Sequence, residues 1–134
     1  MDTETTHEHI LVCDDDHALR AIFKEFFADE GYRVTVQPSI CDGIDEVVSL
    51  APDLIVLDLI FGGEPKGFEF LRSLKTSPQT KSIPVLICTA AAVLNEEIKI
   101  HLTTWECASV TKPFEIDELI AAVQECLGKT GVAA

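Results

Sequence analysis

The chain has 134 residues, 47% of them hydrophobic, and a formal net charge of −13 at pH 7. This length predicts one domain with a buried core, and the charge argues against binding to nucleic acid or to an anionic membrane. No apolar run approaches the roughly 20 residues that cross a bilayer, and the acidic residues 1–4 do not resemble a targeting segment. We therefore expect a cytoplasmic protein.

The first strand and helix are clearly marked. Residues 10–13 are apolar and predict a buried strand that runs into three aspartates, Asp14 to Asp16. Asp16 can cap a helix that Gly31 ends. The apolar face of this helix carries Leu19, Ile22, Phe23, Phe26 and Phe27. Residues 32–36 alternate apolar and polar side chains, which is typical of a half-exposed edge strand.

A second helix and a third strand follow. Ser39 with Asp42 can open the helix, and Pro52 ends it. The apolar face of this helix carries Ile44, Val47, Val48 and Ala51. Residues 54–57 are apolar and predict a buried strand, which ends at Asp58.

The second half of the chain continues the alternation. A loop at residues 62–67 leads into a helix whose apolar residues are Phe68, Leu71 and Leu74. A connector at 78–84 precedes an apolar strand at 85–88, which runs into Thr89. The helix predicted at 94–103 has the weakest pattern. Its apolar residues recur every four positions: Leu94, Ile98 and Leu102.

The last strand and helix complete five strand–helix units. Residues 108–111 form a weaker strand that runs into Lys112. The helix after it ends at Gly128, and its apolar face carries Ile116, Leu119, Ile120, Val123 and Leu127. Because crossovers between parallel strands are right-handed, five such units predict a doubly wound α/β sandwich.

The chain shows no internal repeat or interdomain linker. We expect one domain at residues 8–129, between tails at 1–7 and 130–134. The cysteines include no Cys-x-x-Cys pair and so indicate neither a disulfide framework nor a zinc site. They stand at positions 13, 41, 88, 107 and 126.

Polar residues stand at the ends of four predicted inner strands. Since ligands bind at the carboxyl ends of parallel strands, we expect these residues to form one pocket. Clustered carboxylates favour a cation, and Mg²⁺ prefers oxygen ligands of this kind. Asp58 can then be the nucleophile of phosphoryl transfer, with Mg²⁺, Lys112 and the Thr89 hydroxyl stabilising the phosphoryl oxygens. The pattern predicts an aspartyl phosphate.

Each of these residues also has an ordinary structural interpretation. The acidic triplet can serve only as a helix cap. Asp58 alone could be a turn residue, Thr89 a strand former, and Lys112 part of a solvated loop. What is specific to phosphoryl transfer is the combination: the acidic triplet, an aspartate, a hydroxyl and a lysine follow successive inner strands in this order.

At these positions the chain resembles the receiver domain of two-component response regulators. The matching segments are residues 10–16, Asp58-Leu59, residues 67–71, Thr89-Ala90 and residues 112–114, and the resemblance spans about residues 8–128. It implies a flavodoxin-like five-stranded parallel sheet of order 2-1-3-4-5 with helices on both faces. We expect a stand-alone signalling domain and not an enzyme, since residues 128–134 after the last helix are too few for a DNA-binding or catalytic domain.

The resemblance implies a role for each site residue. Asp58 would accept a phosphoryl group from a histidine kinase or a histidine phosphotransfer protein. Asp14 and Asp15 would bind Mg²⁺ together with Asp58 and the backbone carbonyl of Ile60. Thr89 would be the switch hydroxyl, and Lys112 would pair with the phosphate. The downstream protein partner is not implied.

Three positions depart from the family pattern. Ser109 replaces the aromatic residue three positions before the lysine. Residues 60–63 replace a loop that usually contains Met-Pro, and Trp105-Glu106 replaces Gly-Ala before the last strand. We therefore hypothesise that signalling runs through the loop after Thr89 and through residues 94–105.

Other functions remain open from the sequence. A degenerate receiver would bind proteins without phosphorylation; the complete set of pocket residues argues against this alternative, and the missing aromatic residue keeps it open. A small aspartyl-nucleophile phosphatase would use the Asp-x-Asp pattern formed by Asp14 and Asp16, although this chain is short for such an enzyme. A flavin-binding electron carrier is disfavoured, because three carboxylates would repel the phosphate of FMN.

Overall fold

The computed structural model describes residues 7–40 and 43–128. Apart from His7, the predicted tails at 1–7 and 130–134 lie outside the described residues. Strands and helices alternate along the chain: β1 (His9–Cys13), α1 (His17–Asp29), β2 (Arg33–Gln37), α2 (Ile44–Leu50), β3 (Leu54–Leu57), α3 (Lys66–Thr76), β4 (Val85–Ala90), α4 (Glu96–Thr104), β5 (Ala108–Lys112) and α5 (Ile116–Cys126).

The five strands form one parallel sheet in the order β2-β1-β3-β4-β5. This order confirms the predicted flavodoxin-like, doubly wound fold. It places β3 at the centre, between β1 and β4, so the carboxyl end of β3 lies in the middle of the sheet edge. Within the described residues, no helix has both the length and the apolar character needed to span a bilayer.

Alternate residues of the central strands face two separate cores, as the period of two in a strand requires. On one side, Leu11 and Ile55 pack with buried residues of α2, α3 and α4. On the other side, Ile10 and Val56 pack with α1 and α5. Both faces of the inner strands are therefore covered, which explains their continuous apolar runs.

The ends of α1 follow the predicted signals. The Asp16 carboxylate accepts a hydrogen bond from the Leu19 N–H at 3.0 Å. After the helix, Gly31 has φ +93°, and the Tyr32 N–H reaches back to the Phe27 carbonyl at 3.1 Å. This is the Schellman arrangement, in which glycine supplies the left-handed residue.

The structure corrects the prediction for α2. Gly43 is the N-cap and makes no side-chain capping bond, so Ser39 does not open the helix, and Asp42 lies outside the described residues. Ala51 is not on the apolar face, because it follows the helix with φ 50°. Val48 was placed on that face but is 42% exposed.

Helix α4 begins two residues later than predicted. Asn95 caps it by accepting a hydrogen bond from the Ile98 N–H at 2.9 Å. Leu94 therefore precedes the helix, although it still packs against the core with Ile98 and the buried Leu102. Strands β4 and β5 extend further than predicted, to Ala90 and Lys112.

Candidate functional site

The sheet brings the predicted site residues to one edge. Cys13 of β1 is paired with Leu57 of β3, so Asp14 and Asp58 leave neighbouring strands at the same level. The Asp58 N–H donates to the Cys13 carbonyl at 3.1 Å, which fixes this alignment. Thr89 lies in β4 on the other side of β3.

Lys112 joins two of the carboxylates. Its Nζ lies 2.8 Å from Asp14 Oδ2 and 2.8 Å from Asp58 Oδ2. The Lys112 side chain is 20% exposed, and those of Asp14 and Asp58 are 2% and 10% exposed. Burial by itself would lower the pKa of Lys112, but the two carboxylates outweigh burial and raise it to about 12. The ammonium group therefore stays charged at neutral pH.

The other oxygen of Asp58 is also held. Its Oδ1 accepts a hydrogen bond from the Thr89 hydroxyl at 2.7 Å and one from the Ile60 N–H at 3.2 Å. Thr89 is 1% exposed. Both oxygens of the central carboxylate thus have hydrogen-bond partners, which fix its orientation.

Asp14 is the most deeply buried of the acids. Burial raises its pKa, although hydrogen bonds from Lys112 and from the Asp16 N–H act in the opposite direction. A carboxylate that burial disfavours in its charged form is stabilised when a cation lies beside it. The neighbouring Lys112 ammonium, 2.8 Å away, supplies such a charge to Asp14.

Three carboxylates form a group that could hold a cation. Asp14, Asp15 and Asp58 each offer one oxygen, and these oxygens lie within 4.8 Å of one another. An all-oxygen set fits Mg²⁺, which keeps several waters and so needs an open side. Asp15 is exposed and leaves that side open. The Ile60 peptide lies at the same edge, through its N–H to Asp58.

The sequence did not indicate two backbone contacts of this site. The Gly62 N–H donates to Asp15 Oδ2 at 3.0 Å, and Arg20 donates to the Asp14 carbonyl oxygen at 3.1 Å. The Gly62-Gly63 pair is a known signal for a tight hairpin, and this signal could have identified the first contact. A contact to a carbonyl group, like that of Arg20, leaves no sequence signal.

Two of the departures from the family pattern lie in or just before β5, and the third lies in the loop after β3. Ser109 is exposed on β5. Trp105 follows α4 and lies partly buried against α3. Its ring centroid is 6.1 Å from that of Phe68, and the Arg72 guanidinium lies 5.8 Å from the Trp105 ring and 5.2 Å from the Phe68 ring. Trp105 thus connects α4 to the beginning of α3.

A groove of about 530 Å³ opens beside Lys112. Its walls are mainly apolar and come from α1 and from the segment between β5 and α5. The lining residues are Asp16, Leu19, Ile22, Lys112, Pro113, Phe114 and Ile116. The site edge is therefore next to a surface that can accept an apolar partner face.

Comparison with known proteins shows similarity to response regulators over most of the chain. The response regulator receiver domain family model matches residues 10–124. Sporulation initiation phosphotransferase F of Bacillus subtilis is 32% identical over 124 residues, which cover 90% of this chain and 94% of that protein. The uncharacterized transcriptional regulatory protein YkoG of the same organism is 33% identical over 124 residues, with coverage of 92% and 52%. The chain spans about half the length of several curated relatives.

Solved structures agree on the fold. Chemotaxis protein CheY4 of Vibrio cholerae superposes with a TM-score of 0.78 at 23% identity, covering 91% of this chain and 100% of that one. The HemR receiver domain of Leptospira biflexa has a TM-score of 0.71 at 26% identity, with coverage of 90% and 94%.

Proposed function

The chain belongs to the response regulator receiver domain family, and from this premise we propose that it is a phosphorylation-controlled protein-binding switch in a two-component pathway. Asp58 accepts a phosphoryl group from a histidine kinase or a histidine phosphotransfer protein. The observation that carries the proposal is the double contact of Lys112, whose ammonium lies 2.8 Å from both Asp14 and Asp58.

The chemistry requires one bond to form and one to break. An Asp58 carboxylate oxygen bonds to phosphorus while the bond from phosphorus to the donor's imidazole nitrogen breaks. That nitrogen keeps the electron pair, and a proton on the second ring nitrogen leaves the imidazole neutral. Lys112 lies beside the forming phosphate charge, and the Thr89 hydroxyl can turn from Asp58 to a phosphate oxygen.

The acidic group supplies the cation site of the same reaction. Asp14, Asp15 and Asp58 would hold Mg²⁺ with the Ile60 carbonyl, as their oxygens within 4.8 Å suggest for the three side chains. Bound there, Mg²⁺ supplies charge neutralisation for the phosphoryl oxygens. The protein's own contribution is to hold the carboxylates together before the cation arrives.

The phosphoryl donor docks on the groove beside Lys112. Its apolar walls, which include Ile22 and Phe114, lie next to the site edge. A relative that is similar over nearly its whole length is named a sporulation initiation phosphotransferase, and this similarity supports a place in a phosphorelay. We assign the receiver domain to residues 8–129 and propose that it acts in the cytoplasm as a signalling domain and not as an enzyme.

The output is a change in affinity for a protein partner. Phosphorylation adds roughly −1.5 to −2 charges at the site, and the partner's affinity shifts only as far as its binding energy differs between the two states. The degenerate-receiver alternative is favoured by Ser109, which is exposed at the position of the usual aromatic residue. The phosphatase alternative would need Asp14 as nucleophile, and this residue is only 1% exposed.

The proposed function is tested by incubating the protein with acetyl phosphate and MgCl₂ and measuring intact mass. We expect the mass of one phosphoryl group to be gained, and this gain to disappear with a chelator. A wild type that never gains mass from any phosphodonor would favour the degenerate receiver. Continuous release of phosphate from p-nitrophenyl phosphate would favour the phosphatase.

A further inference from the structure

The loop after β3 contains a two-residue hairpin. Phe61 and Glu64 pair in antiparallel fashion through two main-chain hydrogen bonds of 2.9 and 3.0 Å. Between them, Gly62 and Gly63 have φ values of +59° and +78°. Two successive positive φ angles are those of a type I′ turn, which connects antiparallel segments tightly. We call residues 61–64 the loop hairpin.

The loop hairpin is fixed at its base. The Phe61 side chain is 6% exposed and lies in the core that α2, α3 and α4 share. The Lys66 N–H, in the first turn of α3, donates to the Glu64 carbonyl at 2.8 Å. Anchors on both sides set the position of the hairpin tip, and with it the direction of the Gly62 N–H.

The tip contacts the exposed member of the acidic group. The Gly62 N–H donates to Asp15 Oδ2 at 3.0 Å. Asp14 and Asp58 are buried and joined through Lys112. Among the described residues, the bond from Gly62 is the one hydrogen bond that the Asp15 side chain makes. This bond is therefore the hydrogen bond within the described residues that orients the Asp15 carboxylate.

We propose that the loop hairpin is a positioning element for the cation site, in which the Gly62 N–H holds Asp15 toward Asp14 and Asp58. The inference rests on the proposed function, because it assumes that these carboxylates bind Mg²⁺. Groups that orient metal ligands typically contribute roughly tenfold or more to metal affinity. A carboxylate that is already ordered loses less side-chain entropy when the cation binds.

Three substitutions at Gly62 test the turn with and without its N–H donor. Gly62→Pro removes the N–H and cannot adopt a positive φ. Gly62→Val keeps the N–H, but a β-branched residue is strongly disfavoured at φ +59°. Gly62→Asn keeps both donor and turn, because asparagine is a preferred residue in type I′ turns.

Gly31→Val is the matched control. Gly31 has φ +93°, and a β-carbon at Gly31, as at Gly62, would meet no atom within 4 Å. Valine therefore introduces the same kind of backbone strain at both positions. Gly31 lies at the end of α1, away from the acidic group, so strain there alone should not change cation affinity.

The test is a titration of each ¹⁵N-labelled protein with MgCl₂, followed by amide chemical shifts, with melting temperatures measured without Mg²⁺. We expect Gly62→Pro and Gly62→Val to bind Mg²⁺ roughly tenfold more weakly than wild type. Gly62→Asn and Gly31→Val should bind as wild type does. Saturating Mg²⁺ should restore phosphorylation of Gly62→Val, because its chemistry residues are unchanged.

Two results would overturn the inference while leaving the proposed function intact. One is wild-type Mg²⁺ affinity in both Gly62→Pro and Gly62→Val. The other is an equal loss of affinity in Gly31→Val, which would show that strain anywhere in the fold is sufficient. A wild type without any Mg²⁺-dependent shift would remove the cation site itself, and the inference with it.

Discussion

The α-carbon of Gly67 lies directly against the carbonyl oxygen of Asp58. A β-carbon on Gly67 would overlap that oxygen and the backbone of Leu59. The N–H groups of Gly67 and Phe68 both donate to the Leu59 carbonyl, at 3.0 and 3.2 Å. The first turn of α3 therefore packs directly against the backbone of Asp58, the proposed phosphoacceptor. Only glycine at position 67 permits so close an approach of the two backbones.

Gly67→Ala should destabilise the protein by roughly 1–3 kcal/mol, the usual range for overpacking. Relief of the overlap also requires the backbone at Asp58 to shift, so phosphorylation should slow. Urea denaturation and intact-mass kinetics measure the two effects. Ser73→Ala, at an exposed position of α3, is the control, and equal stability of the two variants would disprove the steric role of Gly67.

Lys112→Met should destabilise the metal-free protein by about 3 kcal/mol, because removing one member of a buried ionic group leaves the others uncompensated. Asp14 and Asp58 would then repel each other with little access to water. MgCl₂ should recover part of this loss, because the cation replaces the missing positive charge. Urea denaturation with and without MgCl₂ measures both effects, and Lys99→Met, on the exposed side of α4, is the control.

The pH dependence of the same pair of proteins provides a second check. The pKa of Lys112 is raised from 10.5 to about 12 in the folded protein. A raised pKa means that the folded state binds the proton more tightly, so this contribution is complete below pH 10.5 and is lost as the pH rises through about 12. The difference in stability between wild type and Lys112→Met should shrink over that interval. A difference in stability that stays constant over this pH interval would contradict the raised pKa of Lys112.

Asp14→Asn should stabilise the metal-free protein at pH 7 and abolish high-affinity Mg²⁺ binding. Burial raises the pKa of Asp14, so the folded state carries a carboxylate in an environment that disfavours its charge. The advantage of asparagine should fall as the pH decreases through the raised pKa toward 3.8, because Asp14 then becomes neutral as well. Thermal melts measure this effect against Asp29→Asn, an exposed position on α1. A metal-free Asp14→Asn no more stable than Asp29→Asn would contradict the prediction.

Trp105 should report the state of the site. It is the single tryptophan of the chain, and it contacts Phe68 at the beginning of α3. A shift of the loop after Asp58 would move Phe68 and thus the surroundings of the indole. We expect Mg²⁺ with beryllofluoride to change Trp105 fluorescence in wild type and not in Asp58→Asn. An unchanged spectrum in wild type would contradict coupling through residues 94–105.

Both the sheet and the meeting of the polar site residues at one of its edges could be predicted from the sequence. Each inner strand is an apolar run that stops at one polar residue. Asp58 after residues 54–57 and Thr89 after residues 85–88 are examples. The strand order was predicted from the family resemblance, and the crossover rule predicted only a doubly wound sandwich. Once the strands are paired in this order, their register brings the polar residues at the strand ends into contact, so no separate sequence signal for these contacts is needed.

Features that depend on backbone conformation could not be predicted in the same way. Two residues after the end of α4 at Thr104, Glu106 has φ 57°, and the Cys107 N–H donates to the Leu102 carbonyl at 2.8 Å. Glycine usually occupies that position, so the sequence did not indicate this left-handed residue, although the helix end predicted at residue 103 lies within one residue of Thr104. Ile22, which the sequence places on the apolar face of α1, is 36% exposed and lines the groove beside Lys112.

The most direct test of the account is to locate the phosphoryl group. Protein phosphorylated with Mg²⁺ is reduced with borohydride, which converts a phosphorylated aspartate to homoserine, and the modified residue is identified by peptide mass spectrometry. We predict homoserine at position 58, and none after chelation of Mg²⁺ or in Asp58→Asn. Homoserine at position 14, or a phosphorylated wild type without modification at 58, would contradict the central claim that Asp58 is the acceptor.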